Sequence, residues 1–147
     1  MHPRGTEPPL LLGGVAFQGD PQLEGHSDGD VVCHAVADAF LGAATLGDLG
    51  AHFPDDDPAT EGMAGLDLVG RIVELVREAG VHPASCDVVV IADAPAIAPH
   101  RDEMRANLAR VLGVPVDRVS IKATRPEGMG LTGDGVASLA LAVASTS

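Results

Sequence analysis

The run Cys86-Asp87-Val88-Val89-Val90-Ile91-Ala92 is almost uninterrupted apolar sequence at the length of a single β-strand. A strand of that kind is expected where both faces of a sheet are covered, and helices are the usual cover. The surrounding pattern agrees. Residues 66–79 set Leu68, Val69, Ile72, Val73 and Val76 at helical spacing, with Gly80 as the stop. A helix is also predicted from about 30 to 44, with Val32, Val36, Ala39, Phe40 and Ala43 as its apolar stripe and Ser27 or Asp28 as its cap. A third helix is predicted over about 101–112. Leu10-Leu11-Leu12-Gly13-Gly14-Val15 reads as a short strand broken by a Gly-Gly turn, and residues 119–124 as another strand. In the tail, Leu139, Leu141 and Val143 alternate with Ala140, Ala142 and Ala144, a period of two that predicts a strand over 136–145. The expected fold is a single α/β domain over residues 1–147, a sandwich of helices packed on a mixed sheet.

With three Phe and no Trp or Tyr, the core must be built from small interdigitating aliphatic side chains. Such a chain gains from sharing burial with further copies of itself. The formal charge of −12 and the single lysine, Lys122, argue against DNA or RNA as a partner, because phosphate contacts dominate nucleic-acid affinity. Any phosphate ligand must be met by metal ions or backbone N–H groups. Cys33 and Cys86, without CxxC spacing, are expected to be buried structural thiols in a reducing, cytoplasmic compartment. No apolar run reaches the roughly 18 residues of a membrane span. The opening Met1-His2-Pro3-Arg4 lacks the hydrophobic segment of a signal peptide.

The densest polar cluster is His26-Ser27-Asp28-Gly29-Asp30, with His34 one helical turn further on. Asp30, His34 and Asp38 fall at i, i+4 and i+8, near one helix face. That spacing suits a metal-binding histidine whose second ring nitrogen is fixed by Asp30 or Asp38; it equally suits a solvated acidic stripe. The long loop 47–61 carries Gly47-Asp48-Leu49-Gly50 and Phe53-Pro54-Asp55-Asp56-Asp57-Pro58. Clustered Asp in such a loop can hold hydroxyls or hard cations, or form a capped, solvated turn. Two further segments, Ala92-Asp93-Ala94-Pro95 and Thr124-Arg125-Pro126-Glu127-Gly128, sit where strands end, the usual place for ligands in α/β sheets.

Together these runs resemble one family. His26-Ser27-Asp28-Gly29-Asp30-Val31-x-x-His34 is similar to the signature of the 2-C-methyl-D-erythritol 2,4-cyclodiphosphate synthases. So are Leu41-Gly42-Ala43-Ala44-x-Leu46-Gly47-Asp48-Leu49-Gly50 and Phe53-Pro54-Asp55. The same holds downstream for Ala94-Pro95, Pro99-His100, Met104-Arg105, Lys122-Ala123-Thr124, Glu127, Gly130 and Leu131-Thr132-Gly133. The resemblance runs, ordered and nearly gap-free, from about Leu10 to the end.

What the resemblance implies is an intramolecular phosphoryl transfer on 4-diphosphocytidyl-2-C-methyl-D-erythritol 2-phosphate. CMP is released by a homotrimer whose sites lie between subunits. It implies a zinc ion on His34 and on the family's first histidine, here His2, and a Mg²⁺ or Mn²⁺ at the diphosphate with Glu127 as its protein ligand. His26 and Ser27 are implied to grip the 2-phosphate, His26 and Arg125 being the catalytic pair. Asp48, Leu49, Gly50, Phe53, Pro54, Asp55, Asp56 and Asp57 are implied to hold the methylerythritol. Ala92, Asp93, Ala94, Pro95, Ala96, Ile97 and Ala98 are implied to form the cytosine pocket. Thr124 and Arg125 are implied to face the CDP phosphates, and Leu131 and Asp134 to be further substrate-binding positions.

The chain departs from the family pattern at Arg125-Pro126, where a Thr-like residue is usual, at Ala96 for a lysine, and at Asp134 for an arginine. The family's Asp-x-His also begins two residues before His2. The expectation is a start codon placed too late, with the first strand and its Asp encoded upstream. The rival expectations are a non-catalytic homologue that binds metal and cytidine nucleotide, and a structural metal-binding trimer.

Overall fold

A computed structural model of the chain describes residues 1–25, 27–54, 56–130 and 133–147. The chain opens with a hairpin of β1 (Leu10–Leu12) and β2 (Val15–Phe17), turned by Gly13-Gly14. Both glycines have left-handed φ, which strains any side chain there, and a Cβ on Gly14 would also displace the Leu66 side chain, 2.3 Å away at Cδ1. The apolar run 10–15 is thus two paired strands.

Helix α1 (Val31–Ala43) is capped by Asp30, whose carboxylate accepts from the N–H groups of Val32 and Cys33. The expected caps, Ser27 and Asp28, serve elsewhere. Asp28 accepts from Gly65 N at 2.7 Å and so caps α3 (Gly65–Glu78), whose own N-cap residue, Ala64, has no side chain for the task. The buried face of α1 is Val31, Val32, Cys33, Val36, Ala37, Phe40 and Leu41. Ala43, expected in the apolar stripe, is exposed because it lies off the face on which Phe40, Leu41 and Ala44 meet the core. In α3 the predicted Leu68, Val69, Ile72, Val73 and Val76 are all buried. A short α2 (Leu49–His52) interrupts the loop between them.

The sheet is β4 (Val119–Thr124), β3 (His82–Ile91) and β5 (Ala137–Ser145), in the order β4-β3-β5. β3 runs parallel to β4 and antiparallel to β5, so the sheet is mixed, and α4 (Arg101–Leu112) makes the crossover from β3 to β4. Helices α1, α3 and α4 form one layer, with α1 on β5 and α4 on β4. The core lies between that layer and the face carrying Cys86, Val88, Val90, Val119 and Ile121.

A further expectation is overturned. β3 is not covered on both faces within this chain: its burial alternates, and the far face of the sheet continues into Leu139, Leu141 and Val143, which are 60, 66 and 58% exposed. Both cysteines are buried and unpaired, as expected. Among the described residues no helix is long and apolar enough to cross a membrane.

Candidate active site

The loop before α1 is organised by Asp30. Its carboxylate is fully buried and accepts four backbone N–H groups: Gly13 at 2.9 Å, Gly14 at 2.8 Å, Val32 at 3.1 Å and Cys33 at 3.0 Å. One side chain therefore ties the β1–β2 turn to the start of α1 and spends its lone pairs doing so. Asp38 is likewise engaged, accepting from Leu49 N at 2.7 Å. Neither orients His34, contrary to the spacing argument; that role falls to Ser27, whose Oγ is 2.8 Å from His34 Nε2.

His34 Nδ1 in turn faces His2 Nε2 at 3.2 Å, the two rings meeting edge-on. Rather than trailing from the terminus, His2 is held by two backbone hydrogen bonds with Val136, each 3.1 Å. Burial holds the His34 ring below the ordinary value of 6.5, partly offset by the charges of Asp30 and Asp28, which favours the neutral ring that a metal ligand requires. Two ligands at about 2.0–2.1 Å from a tetrahedral ion lie about 3.3 Å apart, so the pair fits adjacent corners of a zinc site. Among the described residues no group of three His, Cys, Asp or Glu side chains converges.

His2, Ser27 and His34 line a cavity of about 250 Å³ together with Leu49, Gly50, Phe53, Thr60 and Leu68. Of the loop residues singled out in sequence, Leu49, Gly50 and Phe53 reach it. Asp48 instead caps α2 through Ala51 N at 3.0 Å, Asp57 accepts from Ala59 N at 2.9 Å in a turn, and Pro54 and Asp56 are exposed outside the lining. Thr60 and Leu68 had no motif to mark them; Leu68 is a helix residue that reads only as core.

A second cavity, about 320 Å³, is lined by Ala92, Asp93, Ala94, Pro95, Ala96, Ile97 and Ala98, by Thr124 and Arg125, and also by Val90, Ala123 and Arg101. Here the two strand ends of the parallel pair β3–β4 meet, as the sequence reading expected. Arg101 went unnoticed, although a cation at the start of α4 beside the strand-end loop was a legible signal. Glu127 is exposed just beyond β4 with left-handed φ of 51°, and lines neither cavity. Asp134 lines a third cavity, about 300 Å³, with Arg4, Asp20, Pro21, Asp93, Ala94, Gly133 and Gly135. His26, Asp55 and Leu131 lie outside the described residues.

The profile of the YgbB family matches residues 1–147. The 2-C-methyl-D-erythritol 2,4-cyclodiphosphate synthase of Salinibacter ruber is 53% identical over 134 residues, which is 90% of this chain and 85% of that one. A solved structure of a 2-C-methyl-D-erythritol 2,4-cyclodiphosphate synthase superposes with a TM-score of 0.90 at 32% identity, covering 98% of this chain and 95% of that one. A CDP-bound form of such a synthase gives a TM-score of 0.88 at 30% identity, with the same coverage. Identity and fold agree over nearly the whole length, and the chain belongs to the YgbB family, that of the 2-C-methyl-D-erythritol 2,4-cyclodiphosphate synthases.

Proposed function

We propose that this chain converts 4-diphosphocytidyl-2-C-methyl-D-erythritol 2-phosphate into 2-C-methyl-D-erythritol 2,4-cyclodiphosphate and CMP. An oxygen of the 2-phosphate attacks the β-phosphorus, the bond from that phosphorus to the oxygen bridging the α-phosphate breaks, and CMP leaves with that oxygen. The observation that carries this reading is the His2–His34 pair, 3.2 Å apart in a pocket sized for a small polyol phosphate. The substrate is its own nucleophile, so the protein's task is alignment and charge neutralisation. Its thiols are unsuited to any competing attack: burial pushes Cys33 well up and Cys86 to about 12.

In this reading His2 and His34 would hold a zinc ion, and Glu127 would be the protein ligand of a Mg²⁺ or Mn²⁺. One exposed carboxylate is a sufficient protein contribution where phosphates supply other ligands. When bound, the ions supply the positive charge that a chain of net −12 lacks, drawing density from the β-phosphate. Ser27 fixes the His34 ring, and His26 and Ser27 face the 2-phosphate. Leu49, Gly50 and Phe53 pack against the methylerythritol. The backbone of residues 92–98 reads the cytosine, and Thr124 and Arg125 donate to the nucleotide phosphates.

The working form is a homotrimer. Support comes from the Leu139, Leu141 and Val143 face, since a strand this apolar left bare on a monomer needs a partner surface. Trimerisation would also bring the histidine pocket of one subunit toward the nucleotide cavity of its neighbour.

The purified protein, assayed with the diphosphocytidyl substrate, zinc and magnesium, should release CMP and form the cyclic diphosphate in equal amounts. A second reading, a homologue that binds nucleotide and metal without turnover, is favoured by the two-imidazole donor set. CDP binding without CMP release would establish it.

A further inference from the structure

The N-terminal segment does more than deliver His2. It is stitched down on both sides of Arg4, by Glu24 N to Pro3 O at 2.9 Å and Gly5 N to Gln22 O at 2.7 Å. Gly135 lets it pass so closely that a Cβ there would lie 2.3 Å from His2 O. Arg4 is therefore presented from a fixed backbone. Its side chain is 18% exposed, and its Nη2 donates to the carbonyl oxygen of Ala94.

Three observations make that contact more than a surface bond. Asp93 and Ala94 line both the 320 Å³ cavity and the 300 Å³ cavity that contains Arg4, so this stretch of backbone is the partition between them. Arg4 supports the partition from behind. The alternative partner, Asp20, is 3.8 Å from Nη1, beyond hydrogen-bonding distance, and Nη1 is buried without a hydrogen-bond partner among the described residues. The polar work of the guanidinium is thus directed at Ala94, and a charged donor on a carbonyl is among the stronger kinds of hydrogen bond.

We propose that Arg4 is a positioning residue for the nucleotide cavity, fixing the Asp93–Ala94 wall against which the cytidine nucleotide binds. The proposal rests on the nucleotide reading of that cavity. Without Arg4 the Ala94 carbonyl loses its donor and the wall is free to relax into the space behind it, so nucleotide affinity falls. The polar contacts of Arg4 run to Ala94 and Asp20 and not to Thr124, Arg125 or His34, so turnover of bound substrate is spared.

The test is CDP titration by calorimetry, with steady-state kinetics, on wild type, Arg4→Met and Arg4→Lys, with melting temperature and bound zinc as controls. Arg4→Met should bind CDP about five- to tenfold more weakly and raise KM to match, with kcat within about twofold. Arg4→Lys keeps a donor but not the fork, and should be only about two- to threefold weaker than wild type. Wild-type affinity in Arg4→Met, a fall in kcat at unchanged KM, or a Lys variant no better than Met overturns the proposal. If Arg4→Met does not fold, the Lys variant decides alone, and undiminished affinity overturns it. Wild-type protein that fails to bind CDP removes the nucleotide reading itself, and this proposal with it.

Discussion

His2 Nε2 and His34 Nδ1 meet at 3.2 Å across 32 positions of sequence, while Ser27 Oγ holds the far nitrogen of the His34 ring at 2.8 Å. A ring so fixed offers Nδ1 as a ligand. His34→Ala should therefore reduce bound zinc from stoichiometric to trace and abolish turnover, with the fold kept, because His34 is only partly buried. Ser27→Ala should keep the ligand but loosen its aim, weakening zinc by about tenfold or more. Elemental analysis after dialysis decides both; full occupancy in His34→Ala would remove it from the site.

Asp30 is a structural residue despite its place in the signature. Replacing it by Ala removes a helix cap and strands the N–H groups of Gly13 and Gly14. The cap is worth about 1 kcal/mol and each of the two orphaned donors about 1–3 kcal/mol, so a loss of about 3–7 kcal/mol is expected. Denaturant unfolding measures it. A loss below about 1 kcal/mol would mean the turn and the helix hold each other by packing alone.

Asp28 sets a pH dependence of known sign. Burial raises its carboxyl above 3.8, opposed by the hydrogen bonds from Gly65 and Asp30 N–H. The folded state then keeps a proton, in the window upward from 3.8, that the unfolded chain has released. Its contribution is fully present below 3.8 and lost as pH rises through the folded value. Asp28→Asn cannot titrate and gives up about one hydrogen bond, roughly 1 kcal/mol. The wild-type advantage over this variant should thus be greatest below pH 3.8 and shrink as pH rises through the folded value. An advantage that grows with pH would contradict the assignment.

Glu127 is proposed for the second ion only, and its exposed position keeps it apart from the histidine pair. Glu127→Gln should leave zinc content unchanged, raise the magnesium needed for half-maximal rate, and lower kcat. Rate measured against magnesium concentration tests this, and an unchanged curve removes Glu127 from the role.

Elements with one physical cause were legible in the sequence. The periods of α3 and β5 and the strand β4 follow from patterning alone, and the lining of the 320 Å³ cavity from two strands that end in Pro-containing loops. What escaped was choice among equivalent side chains. Asp28, Asp30 and Asp38 look alike in sequence, yet each accepts from a different backbone N–H fixed only by tertiary contact. Arg4 escaped for the same reason, since nothing local marks a residue whose partner is a carbonyl 90 positions away. The covered second face of β3 was mispredicted because apolar sequence does not say whether its cover comes from the same chain.

That uncovered face yields the last prediction. Leu139, Leu141 and Val143 project from β5 beside Asp87 and Val89 of β3, with Leu141 paired to Asp87 and Leu139 to Val89. Asp87 also pairs with Lys122, whose hydrogen bond and charge hold its carboxyl below the ordinary 3.8. The face is therefore apolar along β5 with one neutralised charge pair at its side, a surface that self-association can bury without stranding a charge. Each leucine so buried contributes about 1.5–3 kcal/mol per copy. Sedimentation equilibrium at micromolar concentration should give three times the chain mass of 14.9 kDa. Leu141→Asp places an unpaired carboxylate at the centre of that face in every copy, and should yield monomers that remain folded by circular dichroism and inactive. Wild-type protein that sediments as a monomer would remove the trimer, and a Leu141→Asp variant that still sediments as a trimer would show that the subunits meet elsewhere.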